Sequence, residues 1–470
     1  MSNNMQETAV SQHYIDELGA GIEHIWDVAQ SLGLRPFPTN FEIVPATVMY
    51  EIGSYGMPGR FSHWTHGKAY QMQKTMYDYG LSKIYELVIN TNPCSAFLLE
   101  SNSVLQNKLV AAHVLAHSDF FANNAHFART SRHMDDSVAL NAERIRHYEF
   151  EHGTEEVEKL LDAVLSIQEH IDPYVTLEDV QPAEKKPARH HDGAYDDLWK
   201  LDKRGAEAGA SDESPVRSRH KPSQPVRDLL LFILVHSPRL QDWERDVISI
   251  VRQESLYFYP QMQTKIINEG WASFWHARIM RELDLSTDDY MEFAELHASI
   301  LQPSRQRLNP YHLGFRMLED IERRWDEEGE GKGREKLFEV REIESDVSLI
   351  RNYLTQELVE DLDLYLYKQV GDELVVVDNG WESVRDRLAR ELTSHGFPVI
   401  LAEDGDYNGN LELYLRHAWD GQKLDRNYAE HTLEYIYRLW GRKVWLETQT
   451  ADDQKLVLSF DSREGHKETT

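Results

Sequence analysis

The hydrophobic period changes once along this chain, and that change constrains its fold more than any single motif. From residue 14 to about residue 335, one break over 172–227 apart, the helical segments repeat their apolar residues every three to four positions, as in "YIDELGAGIEHIWDVAQ", which gathers them on one helix face. After Asp346 they alternate with polar residues, as in "LDLYLYKQVGDELVVVD" and "NLELYLRHAWDG", the pattern of half-buried strands. Helical stretches "WESVRDRLARELTSHG" and "RNYAEHTLEYIYRLWGR" lie among them, and "KVWLETQTADDQKLVLSFDS" reads as a closing hairpin. The expectation is a mainly α domain followed by a small α+β domain over residues 346–470.

The helical part itself divides. Residues 1–171 predict helices near 14–29, 68–90, 98–124 and 136–171, with "RPFPTNFEIVP" as an extended, proline-punctuated loop after Gly33. Residues 172–227, with "QPAEKKPARHHDGAYDD" and "ESPVRSRHKPSQPVRD", lack apolar periodicity and read as a disordered insertion, His190 and His191 included. Helical pattern resumes over 228–335, where the apolar run "LLLFILV" is too short to span a bilayer and reads as buried.

Composition narrows the function classes. With 470 residues and 41% hydrophobic content the chain can bury a substantial core, while a formal charge of −30 would repel a polyanion and argues against nucleic-acid binding. Cys94 is the only cysteine, so neither an internal disulfide nor a thiolate zinc site can form. The N-terminal "MSNNMQETAVSQHYIDELGAG" carries no signal-peptide pattern and no stretch is long enough to cross a membrane, so the expected location is the cytoplasm. No P-loop, dinucleotide fingerprint or G-x-S-x-G elbow occurs.

Several long strings, "FPTNFEIVPATVMYEIGSYGMPGRFSHWTHGKAY", "MYDYGLSKIYELVINTNP", "FLLESNSVLQNKLVAAHVLAHSDFF" and "TKIINEGWASFWH", resemble the stage V sporulation protein R (SpoVR-like) family across about residues 14–330. That resemblance implies a setting: spore cortex formation in spore formers, and stress or stationary-phase responses elsewhere, often beside a serine kinase. It does not supply a reaction.

The chemistry must come from residues. In "NKLVAAHVLAHSDFF", His113 and His117 are four apart, so a helix turns both imidazoles to one face and offers two corners of a metal tetrahedron. They match the histidines of H-E-x-x-H metallopeptidases, yet the general-base position holds Val114, and packed core histidines would show the same spacing. Glu269, in "NEGWASFWH", looks like the third, glutamate ligand of gluzincin-type enzymes. His276 lies two turns further, about 10 Å along the same face, suited to hydrogen bonding beside a site rather than to sharing its ion, or simply to packing. Asp119 points away from the pair; Glu254 and Glu143 are the candidate bases from other segments, against the ordinary reading of solvated carboxylates. In "RFSHWTHGKAY", His63, His66 and Lys68 form a candidate substrate-positioning loop, which Trp64 would anchor equally well with no function, and Tyr311 and His312 are further candidate substrate contacts. Glu149 and His152 have the Glu-x-x-His spacing of di-iron bundles without the second copy such sites need.

Taken together, the sequence predicts a zincin-like helical domain holding one divalent metal, zinc, at His113, His117 and Glu269. Metal-assisted hydrolysis of an amide in a peptide or peptidoglycan precursor is the reaction class that fits. The rival is a catalytically silent, metal-stabilised scaffold partnering a serine kinase.

Overall fold

The computed structural model describes residues 11–78, 86–180, 221–222, 224–303, 308–370, 373–450 and 454–469. The segment expected to be disordered lies mostly outside them, His190 and His191 with it. Two compact units emerge: Met1–His147 with Tyr257–Phe397, and Tyr148–Leu256 with Pro398–Thr470.

The first unit is mainly helical. Its central helix, Val104–Asn123, starts in a capping box in which Ser103 and Gln106 each satisfy the other's backbone N–H. Every residue from Leu109 to Phe121 on it is buried, so it is a core rod covered on all sides rather than an amphipathic surface helix. The helices Gln12–Ser31 and Lys265–Glu282 pack on it directly. Pro310–Asp326 packs against Lys265–Glu282, and one core runs through all of them from Ile25 to Ala389.

A three-stranded sheet covers another side of the rod. Strands β1 (Thr39–Val44), β2 (Leu87–Ile89) and β3 (Cys94–Leu99) lie in the order β1-β3-β2, β1 parallel and β2 antiparallel to β3. Sequence periodicity assigned Leu98 and Leu99 to a helix; they pair in β3 instead, and the helix begins only after the Ser103 cap. Likewise the helix expected over 68–90 is Trp64–Asp78, with β2 beyond it. The helix expected over 136–171 is two, Met134–His152 and Thr154–Leu165, broken where Gly153 takes φ 92°. Thr154–Leu165 lies in the second unit, whereas a hairpin of β4 (Leu366–Val370) and β5 (Glu373–Asp378) and the helix Trp381–Leu392 belong to the first, so strands appear from Leu366 while that unit continues to Phe397.

The second unit holds the C-terminal sheet, β6 (Ile400–Tyr407), β7 (Glu412–His417), β8 (Val444–Gln449), β9 (Lys455–Asp461) and β10 (Gly465–Thr469), ordered β10-β9-β8-β7-β6. Only β7 and β8 are parallel, and the helix Arg426–Trp440 makes the crossover such a pair requires. That helix packs on Thr154–Leu165, and Trp440 stacks on Phe232 of the buried helix Leu229–His236 with ring centroids 5.8 Å apart. Among the described residues no helix is long and apolar enough to cross a membrane.

Candidate metal centre

His113 and His117 project from the central rod with ring centroids 4.7 Å apart. The helix Lys265–Glu282 faces them, its N-terminus held by Asp346, whose carboxylate accepts from the N–H groups of Ile266 and Ile267 at 2.9 Å each. In the string Glu269-Gly270-Trp271-Ala272 each residue then has a separate physical task. Glu269 reaches the histidines, its Oε2 lying 3.4 Å from His117 Nε2 and 3.7 Å from His113 Nε2. Gly270 lets the helix Pro310–Asp326 cross at backbone contact, since a Cβ there would sit 2.5 Å from the Cα of Gly314. Trp271 donates its indole N–H to Asp119 at 3.0 Å, and Ala272 fills the core.

Asp119 is wholly buried and fully engaged. Besides the indole it accepts from Arg35 N at 2.6 Å and from the Arg341 guanidinium at 3.0 Å, a buried ion pair that fixes the rod's rotation. It thus faces away from the histidine pair, as its helical position requires.

A fourth group completes the cluster. Glu86, immediately before β2, places Oε1 3.2 Å from His113 Nε2 and accepts from the Tyr311 hydroxyl at 3.4 Å. The ligand atoms of Glu86, His113, His117 and Glu269 all lie within 4.8 Å of one another. Four donors about 2.05 Å from a tetrahedral centre are separated by about 3.3 Å. The three measured separations of 3.2, 3.4 and 3.7 Å fall around that edge length. His113 Nε2 and Glu269 Oε2 are buried and lack any aligned hydrogen-bond partner, so the residues fit a cation better than they fit each other.

The outward nitrogens are committed elsewhere. His117 Nδ1 donates to the Asn268 amide oxygen at 2.9 Å, which turns the Nε2 lone pair toward Glu269. His113 Nδ1 meets His276 Nδ1 at 2.7 Å, and His276 Nε2 meets His297 Nδ1 at 2.8 Å, a chain of three imidazoles leading from the cluster. Electrostatics sort these rings. Burial pulls His113 down, but the Glu86 and Glu269 carboxylates outweigh it and raise it to about 9. Burial would raise Glu269, yet its contacts with His113 and His117 hold it far below the ordinary carboxylate range. His276 is pushed well down by burial and then by its imidazole neighbours, and His297 to about 4 by burial, Arg281 and His113. Burial, then the two carboxylates, lift the Tyr311 phenol far above its usual value, so it remains a hydrogen-bond donor.

The structure therefore brings together His113, His117, Glu269 and Tyr311, with His276 one hydrogen bond behind. Both ring nitrogens of His276 are occupied by other histidines, so it orients His113. His312 is half-buried on the same helix as Tyr311, its ring pushed down by burial and Arg316. His63 and His66 are buried at the start of Trp64–Asp78 and Lys68 is exposed there; none of the three joins the cluster. Glu143 is exposed on Met134–His152, and Glu254 is buried on Asp242–Gln263 within the second unit; neither is among the converging donors. Glu86 was missed because nothing in "SKIYELVIN" marks it beyond a carboxylate preceding an apolar run.

Val114 is 0% exposed and packs with Leu18, Ala96, Leu98 and Val110, so position 114 faces β3 and the first helix rather than the cluster.

Comparison with known proteins covers nearly the whole chain. The family model "SpoVR like protein" matches residues 12–397 and "SpoVR-like C-terminal domain" matches residues 398–451. Their junction falls where the first unit ends, at Phe397. The uncharacterized protein YcgB of Escherichia coli (strain K12) is 31% identical over 481 residues, covering 93% of this chain and 92% of the relative. No solved structure matches.

Proposed function

This chain belongs to the SpoVR-like family, and on that premise we propose that its first unit is a zincin-like metal domain. In this reading His113, His117 and Glu269 hold one zinc ion and the centre hydrolyses an amide in a peptide or peptidoglycan-related substrate. The convergence of two imidazoles and the Glu269 carboxylate within ion-pair distance carries the reading. A zinc ion there would polarise a carbonyl and acidify water. The protein's own groups do the rest: Asn268 and His276 hold the ligand rings in register, and the Tyr311 hydroxyl, already aimed into the cluster, donates to a substrate oxygen.

One observation favours the second reading, a metal-stabilised scaffold acting with a serine kinase. Position 114 faces the core and carries no carboxylate, so the usual base of such helices is missing. A mass-spectrometric screen of metal-loaded protein against peptides and peptidoglycan precursors separates the two. Amide hydrolysis that disappears in His113→Ala supports the enzyme; a metal-loaded, folded protein that cleaves nothing supports the scaffold.

A further inference from the structure

Three of the four converging donors sit on helices of the core, whereas Glu86 sits at the entry to β2, a three-residue strand at the edge of its sheet. Its only described polar partners are the cluster itself and the Tyr311 hydroxyl. Structural zinc sites use four protein donors and are closed, while catalytic ones use three and keep a position open. With Glu86 in place the protein supplies four donors. Charge points the same way: two carboxylates neutralise a divalent cation, and withdrawing one leaves a buried centre with a net positive charge, which an anionic oxygen donor would satisfy.

We propose that Glu86 is a displaceable fourth protein donor that holds the metal centre closed, and that a carboxylate-bearing ligand opens it by taking Glu86's place. The proposal rests on the metal-binding reading above. Tyr311 bridges the two states, because its hydroxyl can donate to Glu86 while the site is shut and to the incoming carboxylate once it is open. No covalent bond is made or broken; one carboxylate replaces another. This accounts for a four-donor cluster whose fourth member comes from an edge segment, and it makes the C-terminal carboxylate of a peptide a like-for-like competitor.

The test uses full-length protein loaded with Co(II), whose visible absorption reports coordination number and ligand exchange, with acetate as the probe. Wild type should bind one cobalt with a four-coordinate spectrum that shifts only at high acetate, where the exogenous carboxylate displaces Glu86; no shift at any acetate concentration would overturn displacement. Glu86→Ala and the shape-conserving Glu86→Gln should keep the cobalt and respond saturably, with acetate affinity at least about tenfold higher because the internal competitor is gone. A C-terminally free peptide should compete with acetate in those variants and its amidated form should not; if only acetate binds, the peptide-carboxylate assignment is overturned while displacement stands. Identical spectra and identical acetate response in wild type and both variants would overturn Glu86 as a donor. Wild type that takes up no cobalt at all would instead overturn the metal reading beneath it. Circular dichroism on each variant confirms the fold, and Glu86 is partly exposed, so its removal leaves no core cavity.

Discussion

Two closely spaced histidine pairs of the first unit, one within a helix and one at a helix start, have opposite fates. His113 and His117 lie four apart within a rod; His63 and His66 lie three apart at the start of Trp64–Asp78. Both pairs are buried. Around the first, carboxylates from two other segments converge and drive the His113 ring up to about 9. Around His66 stand the rings of Tyr55 and Phe61, and burial, then Arg60 and His63, push it down to about 4. Similar spacing thus leaves His113 favouring its protonated form in one place and His66 its neutral form in the other. Spacing sets where imidazoles point; what faces them decides what they are.

Substitutions between the histidines should break this contrast most forcefully. Val114→Glu forces an unpaired carboxylate into the core beside Leu18 and Leu98, and should cost more than about 3 kcal/mol, seen as loss of cooperative thermal unfolding. Trp64→Glu, at a residue 53% exposed, should change stability by no more than about 1 kcal/mol. A folded Val114→Glu protein would show that the back of the rod is open.

Metal content gives the next contrast. Protein purified without tag or chelator should carry close to one equivalent of metal by elemental analysis. His113→Ala or His117→Ala should remove it, whereas His63→Ala and His66→Ala should retain it. Metal loss in the second set would move the site. A smaller effect belongs to the imidazole chain: His276→Asn should weaken metal affinity by about 10–100-fold in chelator competition, as loss of an orienting partner does, without abolishing binding.

The smallest effect concerns acid. The His66 ring stays neutral down to about 4 in the folded chain but takes a proton near 6.5 when unfolded. The unfolded chain therefore binds more protons in that window, so the His66 contribution to stability falls as pH drops from 6.5 toward 4 and is constant above it. That share should be on the order of 1–2 kcal/mol, and His66→Phe should shrink the acid loss by that much while the other buried imidazoles keep theirs. An acid limb unchanged in His66→Phe would assign it to other groups.

The helix carrying His113 and His117, the Glu269 helix and the strand pattern of the C-terminal part were legible because period and motif are local properties. The three-stranded sheet was not, since β1 pairs with β3 in parallel and a parallel partner leaves no turn signal between its strands. In "TNFEIV" the extended conformation could be read but its partner could not. Gly270 was visible as part of a motif, yet its reason, contact with Gly314, exists only once two helices cross. Glu86 was hidden for the same cause: its place beside His113 exists only once the fold sets the two opposite each other.

The contact between His113 and His276 joins residues 163 positions apart in the chain. Closing so long a loop has an entropic cost that local contacts avoid, so this centre can assemble only after the core helices have docked. A cation bound there would then fasten already folded segments together. It would stabilise by mass action, by about 2.7 kcal/mol at a concentration a hundredfold above its dissociation constant. The core from Ile25 to Ala389 is apolar and includes none of the four converging donors. A chelator should therefore lower the temperature at which the first unit melts while leaving it folded beforehand, unlike small zinc modules whose metal is their core.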